Sequence, residues 1–185
     1  MIERVRLAGF GGQGIMFMGK ILAHAGMLAG NQVTWIPSYG PEMRGGTANC
    51  SVIVSDTEIG EPVASRPDML VAMNEPSLRK FLPAVRPGGI IFVNSSLIHE
   101  VDVRDDVRVI NIPVNDLARE AGQPGAMNMV MLGAMLQHLQ GVNRALVEEA
   151  IRENIPSMRK NMLEGNLTAL AVGIGAGAET PVPAL

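Results

Sequence analysis

The residues with the clearest chemical potential stand at 9–14, GFGGQG, where Gly9, Gly11 and Gly14 fall in the spacing G-x-G-x-x-G. An apolar run at 5–8 precedes them, and a long apolar-periodic segment follows. A glycine turn between a strand and a helix leaves N–H groups free at the positive end of the helix dipole, and it lets an anion approach the backbone. Gly11, Gly12, Gln13 and Gly14 are therefore candidate anion contacts. A dinucleotide site needs a second part, an acidic residue about 20 positions on, at the end of the second strand. Here that strand, 33–36, runs into Pro37, Ser38 and Tyr39, and Glu42 comes too late. No G-K-S/T follows the glycines either. A tight turn that lets strand and helix pack closely explains the same residues equally well.

The second stretch is SYGPEMRGG, 38–46. Proline and glycines surround Glu42 and Arg44, and Tyr39 flanks them. A solvated loop is the plain reading. A loop built this rigidly is also the kind that holds side chains for recognition, which makes Tyr39, Gly40, Pro41, Glu42, Arg44, Gly45 and Gly46 candidate loop or interface residues. The rest of the chain is poor in catalytic equipment. His24, His99 and His138 lie on different segments with no metal spacing, and no C-x-x-C occurs. His24, amid apolar residues of a helix, reads as a core histidine. Cys50 reads as an inert buried thiol. Ser38, Ser95 and Ser96 lack a nucleophile elbow. No catalytic residue and no metal ligand is assigned, a profile that favours a subunit contributing part of a site.

These residues need elements to position them. Apolar runs at 4–8, 33–36, 47–55, 69–73, 90–94 and 107–112 read as strands. Helical patterns begin at 14, 75, 115, 125, 144 and 158, with Asn115 or Asp116 and then Asn143 as caps. Strands alternating with helices predict an α/β chain in three layers, α/β/α, with a mainly parallel sheet. The hairpin-like run 33–59 adds room for antiparallel strands, and the C-terminal half is mostly helical. One domain over 1–172 is expected, followed by a loosely held Gly/Ala/Pro-rich tail, 173–185.

Composition supports this outline. The chain has 185 residues, 47% of them hydrophobic and 18% charged, enough for one sizeable core. The net charge of −3 and the lack of a basic run argue against nucleic acid and a membrane surface as partners. One cysteine fits a reducing compartment, and no targeting segment or spanning stretch is visible, so a cytoplasmic location is expected. Aromatic residues are 3% while methionines number 13, which reads first as adaptable core filler and second as a subunit interface.

Together, GFGGQGIMFMGKILAHAGMLAG and SYGPEMRGGTANCSVIVSD resemble the gamma subunit of the 2-oxoacid:ferredoxin oxidoreductases. The likeness is to the separate subunit of the 2-oxoglutarate or branched-chain type, equivalent to the gamma module of the pyruvate enzyme. It covers about 5–170 and extends to Asn111-Ile112-Pro113 and NMVMLGAML. It implies a complex that oxidatively decarboxylates a 2-oxoacid with coenzyme A, giving acyl-CoA, CO2 and reduced ferredoxin. Thiamine diphosphate and iron–sulfur clusters would belong to alpha, beta and ferredoxin-like delta-type partners, with no cofactor bound by this chain alone. The gamma chain would complete the assembly along the coenzyme A approach. Gly11–Gly14 could receive one of that molecule's phosphates and Arg44 another. Two other readings stand beside it: a free-standing Rossmann-like nucleotide-binding enzyme, and a purely structural assembly subunit.

Overall fold

Alternation along the strands decides which side of the sheet each apolar residue takes. The computed structural model describes residues 1–39, 47–99, 102, 104–156 and 158–179. Six strands, β1 (Ile2–Phe10), β2 (Gln32–Tyr39), β3 (Thr47–Ser55), β4 (Met69–Ala72), β5 (Ile90–Asn94) and β6 (Arg108–Ile112), form one sheet in the order β2-β3-β1-β4-β5-β6. β1, β4, β5 and β6 pair in parallel, and β3 runs antiparallel to both β1 and β2. The sheet is therefore mixed but mainly parallel. Every residue of β4 and β5 is buried, as two covered faces require.

One face carries the larger core. Leu7, Val52, Val71, Phe92 and Ile110 point into it, under α1 (Ile15–Leu28), α3 (Val114–Glu120), α4 (Met127–Met135), α5 (Arg144–Asn154) and α6 (Lys160–Glu179). On the other face Leu70, Ala72, Ile91 and Val93 pack beneath α2 (Glu75–Phe81) and the turn that follows it. Segment 56–68 covers that face over β1 and β3: Arg6 donates to Asn49 Oδ1 (3.0 Å) and Ala64 O (2.8 Å), and Ala64 N donates to Ser51 Oγ (2.6 Å).

Several local expectations change. The second strand does not stop at Ile36 but continues through Pro37 to Tyr39. As an edge strand it tolerates a residue with no N–H. α3 starts after Pro113 without a side-chain cap. Asn115 instead accepts from Asn94 Nδ2 (2.8 Å), and Asp116 from Ser96 Oγ (2.7 Å). The helix expected over 125–140 is α4 bounded by two 3-10 turns, Pro124–Ala126 and Leu136–His138. Asn143 does cap α5, accepting from Leu146 N at 3.1 Å. The loose tail expected from Gly173 is, up to Glu179, the last part of α6. That stretch lies flat on α4: a Cβ at Gly173 would overlap the Val130 carbonyl, and one at Gly177 would stand 2.6 Å from the Ala134 carbonyl.

Candidate functional site

The chain leaves β1 for α1 on one face of the sheet and leaves β4 for α2 on the other. The carboxyl ends of β1 and β4 thus flank a topological switch point, where ligands of open α/β sheets bind. The glycine turn of β1 stands there. Gly12 (φ 92°) and Gly14 (φ 74°) adopt the left-handed conformation that glycine accepts without cost from a Cβ. Gln13 N donates to Phe10 O (3.2 Å), and Met18 N to Gly14 O (2.9 Å), which closes the first turn of α1. Gly14 is the N-cap of α1 and offers no side chain to its first-turn N–H groups, nor does that turn contain an acid. Among the described residues the N–H groups of Gly11, Gly12 and Gly14 have no partner, so they can present donors to an anion.

Gln13 works differently. Its Oε1 accepts from Phe10 N (2.7 Å) and Asn74 Nδ2 (3.1 Å), and its Nε2 donates to Met73 O (3.1 Å). The side chain ties the end of β1 to the end of β4 across the switch point. Asn74 also caps α2 by accepting from Ser77 N at 2.9 Å. From the other side, Asn128 of α4 donates to Gly14 O at 3.2 Å and lies so close that a Cβ on Gly14 would stand 2.6 Å from Asn128 Cγ. Beside this contact lies a groove of about 360 Å³, lined by Gly14, Phe17, Gln123, Asn128, Met162 and Asn166 among others. None of its described lining residues is charged. Attraction for an anion there comes from backbone N–H groups and the α1 dipole.

The sequence singled out Gly11, Gly12, Gln13 and Gly14, and the structure brings them together. It missed Asn74 and Asn128 as supports. Asn74 was legible only as a helix opener, and Asn128 sits 114 positions from the glycine it holds. Of the second loop, Gly40, Pro41, Glu42, Arg44, Gly45 and Gly46, together with the side chain of Tyr39, lie outside the described residues. The backbone of Tyr39 ends β2.

The remaining candidates resolve individually. Cys50 is fully buried, its Sγ 3.7 Å from Ile15 O. Burial pushes its thiol up to about 12, outweighing the Trp35 indole and the Arg6 charge, so it is no nucleophile. His24 is not a core residue: it lies partly exposed between α1 and α5, its Nε2 2.9 Å from Glu153 Oε2 and its Nδ1 2.6 Å from Asn154 Nδ2. Ser96 exchanges hydrogen bonds with Asp116. Among the described residues no group of three His, Cys, Asp or Glu could hold a metal, and no helix is long and apolar enough to cross a membrane.

Comparison with known proteins decides the family. The sequence model of the pyruvate ferredoxin/flavodoxin oxidoreductase family matches residues 4–176. The chain belongs to this family. Within it, the ketoisovalerate oxidoreductase subunit VorA of Methanothermobacter marburgensis is 39% identical over 171 residues, covering 92% of this chain and 35% of that protein. The chain thus spans about a third of the VorA length. The 2-oxoglutarate synthase subunit KorC of Methanocaldococcus jannaschii is 35% identical over 182 residues, covering 97% of this chain and 96% of KorC. Among solved structures, the gamma subunit of a keto/oxoacid ferredoxin oxidoreductase from Geobacter sulfurreducens superposes with a TM-score of 0.83 at 28% identity, over 98% of this chain and 99% of that one. The mainly parallel, mixed α/β fold is the one that the alternation of strands and helices predicted.

Proposed function

We propose that this chain is the gamma-type subunit of a 2-oxoacid:ferredoxin oxidoreductase, acting within a cytoplasmic complex with alpha, beta and ferredoxin-like partners. The complex would convert a 2-oxoacid and coenzyme A to acyl-CoA and CO2, passing electrons to ferredoxin. The end-to-end match with KorC, 97% of this chain and 96% of that subunit, carries this reading. The chain's own residues do not fit an iron–sulfur cluster, which takes about four thiolates: it has one cysteine, and that thiol is buried against a carbonyl. That supports assigning the clusters to the partner subunits.

Within that complex, Gly11, Gly12 and Gly14 receive an anionic group of coenzyme A, and Arg44 supplies a second, charge-assisted contact. The unpartnered N–H groups at the switch point support this assignment. Gln13 acts by holding the turn, since its side chain bonds to Phe10 N, Met73 O and Asn74 Nδ2. The test is acyl-CoA formation by the assembled complex carrying Gly12→Val or Arg44→Ala, measured against coenzyme A concentration. Each variant should raise the KM for coenzyme A about tenfold, equivalent to ~1.4 kcal/mol of binding, with kcat nearly unchanged. An unchanged KM in both overturns the contact. Failure of the wild-type chain to co-purify with the other subunits overturns the subunit assignment. A dinucleotide that raises the melting temperature of the isolated chain would instead favour a free-standing nucleotide enzyme.

A further inference from the structure

At the amino end of the sheet, opposite the glycine turn, lies a cavity of about 420 Å³. It opens where Met69, Ile90 and Arg108 pair in one row at the starts of β4, β5 and β6. His138, the last residue of the turn after α4, borders it and is held edge-on against Phe92, ring centroids 5.3 Å apart. Two buried side-chain nitrogens in this cluster, Arg108 Nε and His138 Nε2, have no hydrogen-bond partner among the described residues. A buried donor left unmade costs about 1–3 kcal/mol.

The acids of the cavity are engaged elsewhere. Asp68 Oδ1 pairs with Arg86 Nη1 at 3.1 Å, while Oδ2 accepts the Arg4 backbone N–H at 2.9 Å with Arg4 Nη1 at 3.5 Å. Glu3 accepts from Gln140 N (2.7 Å) and Gly141 N (2.8 Å). Arg108 forms no ion pair with any described residue. Three guanidinium groups, of Arg4, Arg86 and Arg108, thus stand against two carboxylates, of Glu3 and Asp68, leaving one positive charge uncompensated beside two buried nitrogens without partners among the described residues.

We propose that this cavity is a second anion site, for a small molecule bearing a phosphate or carboxylate group, with the outer nitrogens of the Arg108 guanidinium as its ionic contact. The guanidinium fork matches two oxygens of either group. The cavity exceeds a bare oxyanion in volume, and Met69 and Ile90 give it an apolar wall for the rest of the ligand. The inference does not rest on the reading of the glycine turn, which stands at the other end of the strands.

Thermal unfolding of the full chain, titrated with inorganic phosphate and separately with acetate at constant ionic strength, tests it. At least one anion should give a saturable rise in Tm. Arg108→Gln should abolish that rise, and Arg108→Lys, which keeps the charge and loses the fork, should weaken the apparent affinity about tenfold, the effect of ~1.4 kcal/mol. Lys20→Gln, an exposed cation elsewhere, should leave it unchanged. If Arg108→Gln does not fold, Arg108→Lys carries the test. No saturable shift with either anion overturns the proposal, as does an equal shift in every Arg108 variant.

Discussion

At the carboxyl end of the sheet a set of neutral amides is tied to one another and to the backbone, although Ser77 Oγ at the start of α2 has no partner among the described residues. Gln13, Asn74, Asn94, Asn115 and Asn128 form hydrogen bonds between the ends of β1, β4, β5 and α4, and the N–H groups of Gly11, Gly12 and Gly14 in the glycine turn are left without partners among the described residues. At the amino end the polar groups are charged, and their pairing is incomplete: Glu3 and Asp68 are engaged, while Arg108 and His138 are not. The contrast separates two ways of offering a site. One end holds a backbone rigidly and presents its dipole. The other keeps side-chain charge in reserve within a partly dry cluster, where an unmade interaction costs more than in water.

The largest expected effect tests the rigid end. Gly14→Ala combines a left-handed backbone position with a Cβ driven into Asn128 and should destabilise by about 3 kcal/mol. Gly12→Ala has the same handedness and open space, and should cost about 1 kcal/mol. Urea unfolding of both measures the difference; equal losses would mean that Asn128 does not fix the turn. Glu3→Gln comes next, at the charged end. It replaces a carboxylate receiving two backbone N–H groups by an amide that can receive only one well, and should cost about 2 kcal/mol by urea unfolding. A loss near zero would make that end as tolerant as open surface.

The smallest effect concerns pH. Burial, and then the neighbouring Arg108 charge, hold the His138 imidazole below its usual value. The unfolded chain takes up that proton near pH ~6.5 while the native chain resists it, so stability falls as the pH drops through that value and is unaffected well above it. Between about pH 7 and pH 5, His138→Gln should therefore lose less stability than the wild type. Parallel curves for the two proteins would remove His138 from the charged cluster.

Much of the carboxyl end was legible because its signals are local. The glycine spacing marked the turn, and the 47–55 and 90–94 strands appear with the bounds their alternation and apolar runs predicted. The amino end was not legible. Nothing near Glu3 in the chain announces that it will cap the backbone at Gln140, 137 positions away, and the pattern around His138 gives no hint of Arg108.

Two loop motifs carried the resemblance to the family, and the sequence by itself also determined, to within about two residues, where strands and helices begin, and which turn needs glycine. These depend on periodicity, capping and backbone freedom within a few residues. The tertiary structure alone decided that residues 173–179 continue a helix, because Gly173 and Gly177 make sense only against the backbone of α4. It alone decided that Asn128 supports Gly14 and that Arg108 meets His138 without a counter-charge. Such pairings are set by the packing of distant elements, and short-range patterns carry no information about which distant polar group will share a buried site.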